Sequence, residues 1–101
     1  MAISSAVSTD GAELTIAIKG RFDFSSHQDF RGAYENLDIK PHRYVIDMSD
    51  TAYLDSSALG MLLLLRDHAG GDNAKIEIKN TSTDVKRILT ISNFEQLFNI
   101  D

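Results

Sequence analysis

The sequence predicts an α/β fold: a mixed, mostly parallel β-sheet of about four strands with three to four helices packed on it, built as one domain over residues 1–101. Three observations predict it. Segments that alternate in period two, or run continuously apolar, are interleaved with segments of helical spacing, which is the pattern of β-α-β units with parallel strands and right-handed crossovers. Turn and cap residues fall between those segments. At 101 residues, 43% hydrophobic and 25% charged, the composition is globular and supplies apolar material for one core but not two.

The elements follow in order. Ile3 to Val7 and Glu13 to Lys19 flank the strong turn pair Asp10-Gly11, and "ELTIAIKG" alternates in period two, so the chain opens with a β-hairpin whose second strand ends at Gly20. In "DFSSHQDFRGAYENL" Ser25 or Ser26 can cap a helix whose Phe30, Ala33, Tyr34 and Leu37 share one face. The only proline, Pro41, disfavours helical geometry at Lys40 and precedes "RYVIDMSD". There Tyr44, Val45 and Ile46 form the short apolar run of a central strand covered on both faces; with that strand read as Tyr44 to Met48, Asp47 to Ser57 lies at the carboxyl end of the sheet, and the stretch from Tyr53 follows as strand end, loop and helix. A helix from about Ala58 closes at "AGGDN", and "KIEIKN" alternates as a further strand. "TSTDVKRILTISN" has capping-box spacing from Thr81 to Asp84, with Asn93 as a left-handed stop, and the tail has Phe94, Leu97 and Phe98 to bury. The order is β-β-α-β-α-β-α, with the first strand added antiparallel.

Charge and residue usage exclude several function classes. Net charge is −5, from 15 acidic and 10 basic residues, so the basic footprint of a nucleic-acid binder is absent. There is no cysteine, hence no disulfide or thiolate metal site, which suits a reducing cytoplasm. Histidines 27, 42 and 68 are scattered, and the aspartates do not follow a calcium-loop pattern, so no metal and no cofactor are expected. The first residues lack the basic and apolar regions of a secretory signal. The apolar run Ala58 to Leu65 is broken by Gly60 and is far shorter than the roughly 20 residues of a membrane helix. A cytoplasmic protein that binds a protein or small molecule is the expectation, with a monomer as the default.

The stretch "YLDSSALGMLLLLRD" holds the candidate site. At the carboxyl end of a parallel sheet, where open α/β folds meet their ligands, an aspartate and two serines run directly into an apolar helix. Ser56 lies near the N-cap, where a hydroxyl accepts from an orphan N–H. Leu59 and Met61 to Leu65 surround the helix, so its apolar surface exceeds one stripe and is either buried on all sides or offered to a partner. Asp23, Asp47, Asp50 and Asp55 fall after strands or at this helix start and give the sheet edge a negative rim.

"LDSSALGMLLLLRD" resembles the signature of the STAS domain of bacterial anti-sigma factor antagonists, approximately D-S-[ST]-[GA]-L-G before an apolar helix. The resemblance spans nearly the whole chain: "LTIAIKGRFDFSS" is similar to the family's second strand with its G-x-x-D turn, here Gly20 and Asp23; "RYVIDMSDTAYLDSS" to its central strand and loop; "VKRILTISNFEQLFNI" to its closing helix and tail. It implies a non-catalytic module. Its phosphoacceptor is Ser56, surrounded by Asp23, Asp55, Ser57, Leu59 and Gly60, which form the phosphosite and partner contact. The implied partners are an anti-sigma factor, often itself the serine kinase, and a PP2C-type phosphatase or a response regulator carrying one. The unphosphorylated form binds the anti-sigma factor and frees a sigma factor. Ala58 replaces the commoner glycine, and Asn93 stands where glycine is frequent.

Two other classes compete. A serine hydrolase would use Ser56 or Ser57, yet neither has the flanking glycines of a nucleophile elbow, and the histidines fall at element ends as solvated polar residues. A small-ligand or nucleotide-binding sensor module is the alternative within the resemblance, but the chain has no G-x-x-x-x-G-K-[ST] phosphate loop.

Overall fold

The computed structural model describes residues 2–101. A five-stranded sheet in the order β1-β2-β3-β4-β5 is formed by β1 (Ile3–Val7), β2 (Glu13–Phe22), β3 (Arg43–Leu54), β4 (Ile76–Lys79) and β5 (Asn99–Ile100). Only β1 is antiparallel; β2 to β5 run parallel. Three helices connect the parallel strands: α1 (His27–Glu35), α2 (Ser56–His68) and α3 (Thr83–Ile91). The predicted class and order are therefore present, and the tail adds a short fifth strand.

Sequential strand order with crossovers of one hand places every helix over the same face of the sheet. The burial pattern shows the result. Leu14, Ile16 and Ile18 of β2, Tyr44, Ile46 and Met48 of β3, and Ile76 and Ile78 of β4 are buried in one cluster with Phe30, Tyr34, Leu62, Leu65, Val85 and Leu89 from the helices. The alternate residues Thr15, Ala17, Asp47, Glu77 and Lys79 line the other face and are only partly covered. The run Tyr44, Val45 and Ile46 is buried as expected for a strand covered on both faces, but the rest of the open face is only partly covered. Val45 is 9% exposed and stands outside the core cluster, between its register neighbours Thr15 and Glu77.

Three boundaries also differ from the expectation. First, β2 does not stop at Gly20 but continues to Phe22, since Gly20 takes φ +77° within the strand, a left-handed value that glycine adopts without a Cβ clash. Second, the central strand does not stop at Met48 but runs unbroken to Leu54. The pairing of β2 with β3 slips between Ala17 and Lys19 and again between Gly20 and Arg21, so the buried residues of the upper strand recur at Met48, Thr51 and Leu54. That spacing hides the strand from a period-two search. Thr51 is buried because its hydroxyl donates to Ile18 O at 2.8 Å. Third, α3 is capped by Ser82, which accepts from Val85 N at 3.2 Å, while the expected Thr81 donates to Asp101 O at 2.7 Å and holds the tail.

Asn93 has φ +61° after α3, the left-handed stop expected there, and asparagine is the residue that best substitutes for glycine in that region. Phe94 and Phe98 are buried with rings 5.5 Å apart, whereas Leu97 is exposed rather than buried. Tyr44 is buried, and its hydroxyl has no hydrogen-bond partner among the described residues. No helix among the described residues is long and apolar enough to cross a membrane.

Candidate functional site

The last paired residues of β2 and β3 are Phe22 and Leu54, both buried. Each is followed by an aspartate in extended conformation, Asp23 with φ −138° and Asp55 with φ −117°. Each aspartate then caps a helical turn. Asp23 Oδ1 accepts from Ser25 N at 3.0 Å and from the Ser25 hydroxyl, starting the 3-10 turn Phe24–Ser26 that leads into α1. Asp55 Oδ1 accepts from Ala58 N at 3.0 Å and starts α2. Adjacent parallel strands therefore end alike, with an apolar anchor inside and a capping carboxylate at the rim.

This corrects the placement of the cap. Asp55, not Ser56, is the N-cap of α2, and the helix begins at Ser56 rather than near Ala58. Aspartate suits the position because it adds a charge favourable to the helix N-terminus to the acceptor that a serine would offer. Ser56 is consequently released from capping. It is exposed, and its hydroxyl makes no hydrogen bond among the described residues. Ser57 is half-buried and Ala58 fully buried beneath it.

Below Ser56, α2 divides into two faces. Ala58, Met61, Leu62 and Leu65 are buried, and Leu59 packs partly against them. Ser56, Gly60, Leu63 and Leu64 lie four, seven and eight residues along and form an outer stripe. Leu63 is 42% and Leu64 54% exposed, and nothing stands within 4 Å of where a Gly60 Cβ would be. The question left by the sequence, whether the apolar excess is buried or offered, is answered in favour of a partly open face.

Residues that sequence reasoning did not nominate complete this corner. Arg21, opposite Tyr53 in the sheet, lies with its guanidinium carbon 5.1 Å from the Tyr53 ring centroid and its Nε 3.4 Å from Asp23 Oδ2. Phe24, 71% exposed, stacks on His27 at 5.7 Å. The signal in the sequence was the continuation of β2 alternation through Arg21 and Phe22, which the glycine at position 20 masked. The Ser25 hydroxyl, more than any other group, holds the Asp23 carboxyl below the usual carboxylate range, against the opposing effect of its partial desolvation; the Ser25 N–H and Arg21 assist.

The other two rim aspartates are not at this corner. Asp47 lies within β3 on the open face, accepting from Ser49 N at 3.0 Å and Asn80 Nδ2 at 3.2 Å, and Asp50 pairs in register with Lys19. The Ser49 N–H is the main cause of an Asp47 carboxyl below its ordinary range. The histidines are dispersed: His27 on Phe24, His68 against Tyr34 with ring centroids 5.0 Å apart, and His42 exposed before β3. None is hydrogen-bonded to Ser56 or Ser57 among the described residues.

The geometry is thus an exposed serine on a capped helix start, an apolar stripe beneath it and an acidic rim beside it. Residues 5–99 match the family model described as Mlab, STAS domain. The chain belongs to the STAS-domain family. A STAS-domain containing protein of Pseudomonas aeruginosa (strain UCBPP-PA14) is 66% identical over 100 residues, covering 99% of each chain. Among solved structures, the phosphorylated form of the Bacillus cell fate determinant SpoIIAA superposes with TM-score 0.75 at 14% identity, over 99% of this chain and 91% of that one. A sulfate transporter family protein from Wolinella succinogenes gives TM-score 0.78 at 17% identity, over 94% and 79%. At those identities the two structures share the fold of this chain.

Proposed function

We propose that this STAS domain is an anti-sigma factor antagonist whose binding is switched by phosphorylation of Ser56. The observation that carries the reading is the division of labour at the α2 start: Asp55 holds the cap, leaving the adjacent Ser56 hydroxyl exposed and unengaged. The signature aspartate and serine thereby acquire separate roles. The 66% identical STAS-domain relative and the fold shared with SpoIIAA support it.

In the unphosphorylated state the stripe of Ser56, Gly60, Leu63 and Leu64, together with the exposed Phe24 just beyond β2 and Tyr53 near the end of β3, is the surface for the anti-sigma factor. Gly60 lets the partner approach the helix backbone, and the leucines and aromatics supply apolar contact at the centre of the interface. Phosphorylation adds about −1.5 to −2 charge at Ser56. The helix N-terminus tolerates that charge, so the domain stays folded. A partner must close over it. Two unit charges 4 Å apart interact by about 4 kcal/mol at an effective dielectric of 20, and about 1.4 kcal/mol is tenfold in affinity, so one phosphate suffices to release a tight complex. The writing enzyme is a serine kinase, which the anti-sigma factor itself can be; the eraser is a PP2C-type phosphatase or a response regulator carrying one. Neither nucleic acid nor a membrane is a partner in this scheme.

The test is affinity capture from the native cell extract with wild type, Ser56→Ala and Ser56→Asp, combined with phosphopeptide mapping. Ser56→Ala should retain an anti-sigma factor and carry no phosphate; Ser56→Asp should lose that partner. A phosphate mapped to another residue, or identical capture by all three, refutes the switch.

A further inference from the structure

The hydrogen-bond parity of the first hairpin assigns a second interaction surface. Ala2 O accepts from Lys19 N at 2.8 Å, Ser8 N donates to Glu13 O at 2.8 Å, and the pairing from Ile3 with Ile18 to Val7 with Leu14 is unbroken. Antiparallel ladders alternate between bonded and non-bonded pairs. Ala2, Ser4, Ala6 and Ser8 therefore direct their N–H and C=O groups at β2, while those of Ile3, Ser5 and Val7 point out from the sheet edge. Natural edges are blunted by lysine, proline, bulges or very short strands. The β1 sequence Ile-Ser-Ser-Ala-Val has none of these, and four of its five residues are exposed. The opposite edge, β5, is only two residues long.

We propose that β1 pairs with β1 of a second copy of this chain, antiparallel and two-fold symmetric about Ser5. Ile3 then faces the partner's Val7, and Ser5 faces the partner's Ser5. These three pairs exchange two hydrogen bonds each, using the outward groups of Ile3, Ser5 and Val7. The side chains fit the same symmetry. On the helix-bearing face Ile3 is buried while Val7 is 45% exposed, so the axis brings the covered end of one strand to the uncovered end of the other. On the open face Ser4 meets the partner's Ala6, both small. A second copy is the occupant that the register favours, because the outward groups of Ile3, Ser5 and Val7 are self-complementary about Ser5. The chain carries net charge −5, but β1 is uncharged throughout, so the pairing sets no like-charged β1 side chains opposite one another. The edge lies on the far side of β2 from β3, so pairing leaves the α2 start open and produces a particle with two copies of it.

Sedimentation equilibrium of the full chain from micromolar to millimolar concentration tests the proposal. Wild type should pass from monomer to dimer. Ser5→Lys and Ser5→Glu each place like charges opposite one another and should weaken the dimer about tenfold or more, while an equimolar mixture of the two should restore it. Ser5→Pro, which removes an outward N–H and no bond to β2, should also abolish pairing. Thermal melts by circular dichroism establish that each variant is folded. A wild type that stays monomeric to millimolar concentration, a dimer unaffected by Ser5→Lys, or a charge-swapped mixture that fails to recover overturns the two-fold β1 pairing.

Discussion

Removing the Asp55 carboxylate and removing the Ser56 hydroxyl should have different thermodynamic consequences, although the residues are adjacent. Asp55 Oδ1 accepts the Ala58 N–H at 3.0 Å at the partly buried start of α2. Loss of such a cap costs about 0.5–2 kcal/mol. The carboxylate's interaction with the helix dipole adds about 0.3–1 kcal/mol. Asp55→Ala should thus lose about 1–3 kcal/mol. Asp55→Asn, which keeps an acceptor, should lose only the charge contribution, and that part should shrink in high salt. Ser56→Ala removes an exposed hydroxyl with no partner and should stay within about 0.5 kcal/mol of wild type. For a domain of this size about 1 kcal/mol moves the melting temperature by about 4–8 °C. Urea titration and thermal melts of the four proteins decide the matter. If Ser56→Ala is destabilised as much as Asp55→Ala, the serine is the cap and the separation of cap from switch is wrong. If the order holds, loss or retention of a partner by Ser56 variants reports on binding and not on unfolding.

Tyr44→Phe should stabilise the domain by about 1 kcal/mol in urea titration, because it removes a buried hydroxyl that has no hydrogen bond among the described residues; a loss of stability would refute this. Leu63→Ser with Leu64→Ser should leave the melting temperature nearly unchanged and reduce capture of the anti-sigma factor at least as much as Ser56→Asp does, as measured by pull-down. Asp47, whose carboxyl is depressed by the Ser49 N–H and Asn80, contributes stability that is fully present above its ordinary value of 3.8 and lost as pH falls through its lower folded value. Between about pH 4 and 2, wild type should therefore lose more stability than Asp47→Asn, as read by urea midpoints.

Much of the fold could be read from the chain because its elements carry strong local signals. The Asp10-Gly11 turn, the alternation of "ELTIAI" and "KIEI", and the left-handed Asn93 each act through residues close in sequence. What escaped was set by long-range pairing. The upper half of β3 has no period of its own, because its buried residues answer to irregular pairing with β2. The two-residue β5 exists only because Asn99 and Ile100 meet β4. The site was half legible. Ser56, Asp55, Leu59 and Gly60 were marked by the signature, yet which residue caps the helix depended on one side-chain rotamer, and Arg21 and Tyr53 joined the corner only through their opposition in the sheet.

The irregular pairing of β2 and β3 also governs how the site is aimed. Nine steps along β2, from Glu13 to Phe22, span eleven along β3, from Arg43 to Leu54. The surplus is two residues, about 7 Å of extended chain at roughly 3.3 Å each, and it is taken up as bends in β3 before the strand reaches the helix. That surplus behaves like a shim beneath a fixed part. Deleting one residue between Ser49 and Ala52 would leave the Leu54 anchor, the Asp55 cap and the serine chemically unchanged, yet would turn Leu54 away from the core and swing the whole of α2 with it. The direction in which this domain presents its serine is therefore a property of backbone count in the strand beneath it, and can be changed without touching any residue that a partner would contact.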